Sequence, residues 1–128
     1  MKKTLRIDNQ KVKVEANAST LLIYEDRFKG RRLLQDIDGI AKIEEIEKIP
    51  FSLCTKLLWA TAKTADSSIP DIYEWVKDFS IKEIIVASQT AIELICQSIE
   101  TSKKEKAAVR FRLIRLLMKS LHLQSKAD

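Results

Sequence analysis

Glycine and proline are scarce in this chain of 128 residues, which contains only two of each. So few turn-forming residues exclude collagen-like and low-complexity sequences, and they disfavour an all-β protein with many tight turns. The two glycines, Gly30 and Gly39, stand alone and far apart, so the chain has no glycine-rich phosphate-binding loop. Hydrophobic residues at 45% and charged residues at 32% are instead typical of one globular domain.

Cysteine and histidine are equally scarce, with only Cys54, Cys96 and His122. These side chains cannot supply a four-ligand zinc site, and two cysteines in apolar helical stretches fit a reducing cytoplasm better than a disulfide framework. Nucleophilic catalysis usually needs a histidine beside the nucleophile, whereas His122 lies near the end of a basic tail. Paired carboxylates such as Glu74 and Asp78 lack a recognisable apolar pocket to separate their pKa values. We therefore expect no enzyme activity, no metal and no cofactor.

Long hydrophobic runs are missing as well. The best candidate for a membrane segment, Ile84 to Ile92, has nine uncharged residues, whereas a spanning helix needs roughly 20. At the N-terminus, Lys2, Lys3 and Arg6 come before the apolar core of a signal peptide could form. The sequence therefore predicts a cytoplasmic protein without a membrane partner.

The net charge of +5 is concentrated at one end of the chain. Residues 1–100 carry 15 basic and 16 acidic side chains, whereas residues 101–128 carry 8 basic and 2 acidic side chains. The whole basic excess therefore lies in a C-terminal tail. Because the preceding residues show no bias toward polyanions, we expect any electrostatic partner to bind at the tail.

The spacing of apolar residues changes from two to about 3.6 near residue 17, which indicates two kinds of secondary structure. Apolar and polar residues alternate over residues 4–14 around the turn-forming segment 8–10, which predicts a β-hairpin. Breaks in the helical pattern that follows are predicted at Gly30, Asp38-Gly39, Pro50 and 66–71. We predict an α+β fold in which an N-terminal β-hairpin packs on a mainly α-helical body of four to five helices.

Composition divides the chain into three parts. Residues 1–102 form the hairpin-plus-helical domain, residues 103–106 a polar linker and residues 107–128 a basic amphipathic C-terminal helix. Within the domain, a long helix that begins at Ser80 has isoleucines at helical spacing, which predicts that they face the core. The side chains expected to be largely buried are Leu58, Trp59, Trp75, Ile85 and Ile92.

The C-terminal helix has an apolar face wider than the stripe of about 100° that a surface helix needs. The predicted anchors for a helical partner recur at every fourth position: Leu113, Leu117 and Leu121. A basic ridge, which would steer the encounter, consists of Arg112, Arg115 and Lys119. Without a partner, this helix would pack on its own domain or on a second copy. A membrane surface is an alternative, whereas duplex nucleic acid would leave apolar faces in water.

Several segments, taken in order, resemble the tail assembly chaperones of long-tailed bacteriophages and prophages of Gram-positive hosts. The resemblance begins at the hairpin and covers nearly all of residues 1–106. Its further segments are 16–20 (ANAST), 24–37 (YEDRFKGRRLLQDI), 57–66 (LLWATAKTAD), 69–76 (IPDIYEWV) and the lysine-rich ending 103–106 (KKEK). These segments are core and turn signatures without a catalytic motif, so their order and spacing carry the resemblance.

The resemblance implies a function in viral tail assembly. Such proteins coat the tape measure protein and bring tail-tube (major tail) subunits to it, in the cytoplasm of the bacterial host and not in the mature virion. In this family a longer version arises by ribosomal frameshifting, and residues 107–128 loosely resemble the start of its added segment. The family has no catalytic site, so the resemblance implies neither enzyme activity nor a cofactor.

Self-association is a separate expectation from the residues. The hairpin has edge strands, and Val86, Leu94 and Cys96 lie beside the main apolar stripe of the long helix, so a homo-oligomer is predicted. A different interpretation of the basic tail is a small cytoplasmic regulator that binds nucleic acid. Salt separates the two functions, because nucleic-acid binding weakens steeply between about 50 and 200 mM salt whereas apolar helix capture does not.

Overall fold

A computed structural model describes residues 2–99, and the structural statements below concern these residues. The chain begins with two antiparallel strands and continues with five α-helices, so the predicted α+β fold is confirmed. The strands are β1 (Lys2–Ile7) and β2 (Gln10–Glu15). The helices are α1 (Ala18–Arg27), α2 (Leu33–Ala41), α3 (Phe51–Ala65), α4 (Ile72–Trp75) and α5 (Ile81–Ile99), with 3₁₀ turns at Ile46–Lys48 and Val76–Asp78.

The hairpin turns at Asp8 and Asn9, whose φ angles of 48° and 69° lie in the left-handed region. Two successive residues of this kind form the tight turn that matches the twist of antiparallel strands, and Asp and Asn tolerate it. On the inner face of the hairpin, Ile7 and Val14 are fully buried against the helices. One apolar face therefore fixes the hairpin to the helical body, as the alternating sequence predicts.

A capping box begins helix α1, and the C-terminal end of this helix comes earlier than the predicted break. Asn17 Oδ1 accepts a hydrogen bond from Ser19 N at 2.8 Å, and Thr20 Oγ1 accepts one from Asn17 N at 3.1 Å. The helix ends with Phe28 as its C-cap, two residues before the break predicted at Gly30. Gly30 instead has a φ of +85° in the turn before α2, a conformation that glycine adopts without strain.

Helix α2 runs through Asp38-Gly39, where the sequence pattern predicts an interruption. Its apolar side chains Leu33, Ile37 and Ile40 are buried at spacings of four and three residues, so one face of α2 closes the core. Glycine within a helix costs about 1 kcal/mol relative to alanine, and burial of three large aliphatic side chains outweighs that cost. Tertiary packing thus overrides the local propensity at Gly39.

Helix α3 is the central element of the helical body, and nine of its residues are buried. It contacts α1, α5 and strand β2. Small side chains at Ala60, Thr61 and Ala62 allow these elements to approach closely, and Thr61 Oγ1 donates to the Leu58 carbonyl at 2.8 Å. This helix therefore sets the position of the hairpin on one side and of α1 on another.

Helix α5 faces the core with part of the predicted isoleucine stripe, since Ile84, Ile92 and Ile95 are buried. Ile85 is 36% exposed and Ile81 is exposed as well, so the predicted burial of Ile85 is wrong. The buried face includes the small residues Ala87, Ser88 and Ala91, which let α5 approach α3 closely. A pattern of large apolar residues does not show which helix face has the small side chains. The other four residues predicted to be buried are confirmed: Leu58, Trp59, Trp75 and Ile92.

The second half of α5 also bears on self-association. Leu94 and Cys96 lie in the core, so they supply no apolar surface for a second copy, whereas Val86 is exposed. Within residues 2–99 the sheet has only two strands, and the outer edge of each strand has no strand partner. The expectation of a homo-oligomer therefore depends mainly on the hairpin edges, and it stays a prediction.

Candidate protein-binding groove

The side chains predicted to bind a partner lie outside the residues that the structure describes, as do the polar linker 103–106 and His122. These predicted binding residues are Arg112, Leu113, Arg115, Leu117, Lys119 and Leu121. Among residues 2–99, the strongest candidate site is an apolar groove where the end of α1 meets α4 and the start of α3. We call it the α1–α4 groove.

An aromatic chain beneath the groove holds α1 against α3. The ring centroids of Tyr24 and Phe28 are 5.1 Å apart and those of Phe28 and Trp59 are 5.7 Å apart, both in edge-to-face geometry. Trp59 Nε1 donates to the Pro70 carbonyl at 3.0 Å. The aromatic chain thereby also holds the segment that leads into α4, and it fixes the two walls of the groove relative to each other.

Two bidentate ion pairs tie together the segments around the groove. Arg27 donates from Nε and Nη2 to the Asp71 carboxylate at 2.7 and 3.0 Å, which joins α1 to the start of α4. Arg31 donates in the same way to Asp36 of α2 at 3.2 and 3.0 Å. Asp36 also accepts a hydrogen bond of 2.5 Å from the hydroxyl of buried Tyr24.

These contacts shift the pKa values of two groups in opposite senses. The hydrogen bonds from Arg27 hold the pKa of Asp71 below its usual range, because they stabilise the charged carboxylate. Burial, together with the hydrogen bond to Asp36 and its charge, raises the pKa of Tyr24 above its usual range. At neutral pH the groove is therefore bordered by a charged Asp71 and supported by a neutral tyrosine.

The groove has a volume of about 470 Å³ and an apolar floor. Tyr73 is 73% exposed and Phe51 is 40% exposed, although both have large aromatic side chains. Deeper in the floor, Phe28 and Ile72 are buried and Val76 is half-buried. Exposed apolar side chains that lie together in a concave surface make this groove a candidate binding site.

Of the described residues that line the groove, four are cations and none is acidic. The Arg27 guanidinium carbon lies 5.4 Å from the Phe28 ring centroid and 5.8 Å from that of Tyr73. Lys56 Nζ lies 5.4 Å from the Phe28 centroid. The remaining two cations are Lys29 and Arg31. The groove thus combines an apolar floor with a positive rim.

The candidate catalytic groups among the described residues are a buried thiol and an exposed pair of carboxylates. Burial raises the pKa of the Cys54 thiol, so the thiol stays neutral at physiological pH. Glu74 and Asp78 are both exposed, and Glu74 forms an ion pair with Lys77 at 3.0 Å. Within residues 2–99, no group of three histidine, cysteine, aspartate or glutamate side chains could hold a metal ion. In the same range, no helix has the length and apolar character needed to cross a membrane.

The sequence patterns do not reveal this groove. One local signal is present, because Arg27, Lys29 and Arg31 surround Phe28 at the end of a helix. The same segment contributes to the family resemblance, yet the basic tail dominates the charge pattern of the sequence. No sequence signal shows that Tyr73, from a distant part of the chain, lies beside these residues.

Comparison of the chain with protein-family models, with curated proteins and with solved structures gives no match. These comparisons therefore assign the chain to no family. The functional proposal rests on the resembling segments and on how they meet in the fold.

Proposed function

We propose that this chain is a tail assembly chaperone of a long-tailed bacteriophage or prophage of a Gram-positive host. In this role it binds the tape measure protein, recruits tail-tube subunits to it and catalyses no reaction. It acts in the cytoplasm of the host cell and stays out of the mature virion. The observation that supports the proposal most is that the resembling segments meet in one part of the molecule.

Three of the resembling segments contact one another through their side chains: 24–37, 57–66 and 69–76. Phe28 of the first packs on Trp59 of the second, and Trp59 donates to Pro70 of the third. The bidentate pair of Arg27 with Asp71 joins the third segment back to the first. Residues that build one shared core and border one groove suit a protein whose function is binding rather than catalysis.

Capture of the tape measure protein is assigned to the predicted C-terminal helix. Tape measure proteins are long and largely helical, so an apolar helix face offers them anchors at helical spacing. Buried leucine contributes roughly 1.5–3 kcal/mol before ordering costs, whereas exposed charges mainly accelerate the encounter. The proposed anchors are Leu113, Leu117 and Leu121, and the proposed steering charges are Arg112, Arg115 and Lys119.

The test is a pull-down of tape measure fragments, encoded in the same phage genome, with the full chain as bait. The double substitution Leu113→Ala with Leu117→Ala should weaken capture far more than Arg112→Ala with Arg115→Ala. Circular dichroism of both variants checks that the helical content is retained. If the arginine variant loses the fragments and the leucine variant retains them, apolar capture is wrong.

A nucleic-acid-binding regulator is the second candidate, and the hairpin offers one observation in its favour. Five exposed cations lie on the two strands: Lys2, Lys3, Arg6, Lys11 and Lys13. Together with the basic tail they would provide contacts to phosphates. Oligonucleotide binding that weakens about a thousandfold between about 50 and 200 mM salt would place this candidate ahead of the chaperone.

We also propose that the chaperone self-associates through the outer edges of its hairpin. Unpaired strand edges present backbone donors and acceptors to another chain. Sedimentation velocity over a concentration series should therefore show species larger than a monomer. A strict monomer at high micromolar concentration would contradict this part of the proposal.

A further inference from the structure

We propose that the α1–α4 groove is a docking site for an acidic amphipathic helix of another protein. The apolar face of that helix would lie on the groove floor, and its carboxylates would pair with the cations of the rim. The residues of this site are other than those of the predicted C-terminal helix. It would allow the chain to hold two partners at once.

The apolar floor is the first argument. Tyr73 and Phe51 remain largely accessible at the mouth of a groove of about 470 Å³, above buried Phe28 and Ile72. Aromatic side chains that stay exposed in a concave surface are typical anchors of protein interfaces, because a partner that covers them excludes water from a large apolar area. An amphipathic helix covers such a floor with side chains at every third or fourth position.

The charge of the rim is the second argument. Arg27 and Arg31 are already paired with Asp71 and Asp36. Two further cations of the lining, Lys29 and Lys56, form no ion pair with the residues that the structure describes, so within these residues their charges have no carboxylate partner. Carboxylates on the partner would complement it, whereas cations would be repelled.

The same charge argues against other occupants. The C-terminal tail of this chain carries 8 basic and 2 acidic side chains, so the rim would repel it. A nucleic acid strand needs aromatic faces on which bases stack. Of the described lining residues, only Tyr73 and Phe51 expose aromatic rings, and they lie on different helices, whereas the buried Phe28 ring is edge to face with two other rings. The floor therefore suits aliphatic and aromatic side chains of a helix better than a series of bases.

The experiment measures fluorescence anisotropy of labelled probes with the full chain. The first probe is a designed helical peptide with leucine and phenylalanine on one face and glutamate elsewhere. The second has lysine in place of every glutamate, and the third is single-stranded oligothymidine. We expect the acidic peptide to bind and the basic peptide to bind at least tenfold more weakly.

Substitutions then locate the binding. Tyr73→Ala should weaken binding of the acidic peptide by about tenfold or more, whereas Leu22→Ala, an exposed apolar residue outside the groove lining, should leave it unchanged. Lys29→Glu with Lys56→Glu should weaken it more than the matched double reversal of Lys3→Glu with Lys82→Glu.

Several outcomes would overturn the proposal. Equal losses in the groove and control variants would place the peptide elsewhere on the molecule. Equal binding of the acidic and basic peptides would remove the charge argument. Stronger binding of oligothymidine that Tyr73→Ala abolishes would make the groove a nucleic-acid site, and loss of self-association in Tyr73→Ala would make a second copy its occupant. The tail is intact in all these variants, so a failure here does not bear on tape measure capture.

Discussion

The two ion pairs beside the α1–α4 groove have the same geometry and different surroundings. In each, an arginine donates two hydrogen bonds to one carboxylate, Arg27 to Asp71 and Arg31 to Asp36. The Asp71 side chain is 51% exposed, whereas that of Asp36 is 14% exposed and also accepts the hydroxyl hydrogen of buried Tyr24. Water can therefore replace the partner of Asp71, but it has little access to the contacts of Asp36.

Because of this difference in exposure, the two ion pairs contribute differently to the free energy of unfolding. An exposed ion pair contributes about 0–1 kcal/mol to the free energy of unfolding, because both charges are well solvated when apart. Removal of an acceptor from a buried hydroxyl costs more, since the hydroxyl loses its partner and gains no water. Asp36 thus completes the hydrogen bonding of the core, while Asp71 orients Arg27 at the edge of the groove.

The largest expected effect is that of Asp36→Ala. This substitution leaves the buried Tyr24 hydroxyl without its acceptor and Arg31 without its carboxylate. We expect the free energy of unfolding to fall by about 2–3 kcal/mol, mostly because of the hydroxyl. Urea unfolding followed by tryptophan fluorescence measures this change.

Two matched variants test the cause of the stability loss in Asp36→Ala. Asp36→Asn keeps an acceptor oxygen for Tyr24 and removes only the charge, so it should lose less stability than Asp36→Ala. Asp71→Ala removes the equivalent bidentate pair at the exposed position and should lose less than about 1 kcal/mol. If the two alanine variants lose the same amount, the distinction between the ion pairs is wrong.

A smaller effect is expected when the hydroxyl itself is removed. Tyr24→Phe keeps the ring, its edge-to-face contact with Phe28 and the pair of Asp36 with Arg31. The variant should lose about 1 kcal/mol, since one hydrogen bond disappears without leaving a buried hydroxyl unpaired. The same urea titration measures it. A loss as large as that of Asp36→Ala would mean that the carboxylate acts on more than this hydroxyl.

The raised pKa of Tyr24 predicts that the stability of the protein depends on pH in alkaline solution. Burial, with the hydrogen bond to Asp36, raises its pKa in the folded protein above the unfolded value of about 10. A raised pKa stabilises the folded state fully below the unfolded pKa, and this stabilisation is lost as pH rises toward the folded pKa. The stability difference between the unsubstituted chain and Tyr24→Phe should therefore shrink above about pH 10. An unchanged difference would contradict a buried, hydrogen-bonded hydroxyl.

The sequence predicts the fold well where one periodic pattern dominates. The alternation on both sides of Asp8 and Asn9 defines the hairpin, and the helical body follows from the apolar spacing. It fails where packing decides between two local options, as at Gly39 within α2 and at Ile85 on α5. Both errors have the same physical cause, because the neighbouring helix determines which face is buried and whether an interior glycine is tolerated.

The candidate site is harder to predict from the sequence than the fold is. The groove needs Tyr73 and Phe51 from different helices to remain exposed beside Phe28, and only the tertiary structure shows this. The pair of Arg27 with Asp71 is equally hidden, since the two residues are distant in the chain. The predicted binding residues of the C-terminal helix lie outside the described part of the chain and stay predictions.

The smallest expected change in stability is that of Asp71→Asn, and its dependence on pH can be measured. The hydrogen bonds from Arg27 hold the pKa of Asp71 below the unfolded value of about 3.9. A lowered pKa stabilises the folded state above the unfolded pKa, and this stabilisation is lost as pH falls through the folded pKa. Asp71→Asn should therefore be less stable than the unsubstituted chain by under about 1 kcal/mol at neutral pH, with the difference shrinking below about pH 4.

Urea titrations at about pH 7, 5 and 3 check this expectation, with Asp38→Asn as the control because its pair with Lys42 is also exposed. The difference at Asp71 should be the same at the two higher pH values, since the carboxylate is charged at both in the folded and the unfolded chain. A difference that stays constant down to about pH 3 would mean that Asp71 acts through its shape and not its charge. A difference larger than that of Asp36→Ala would reverse the order of the two ion pairs, and Asp71 would then contribute more to stability than Asp36.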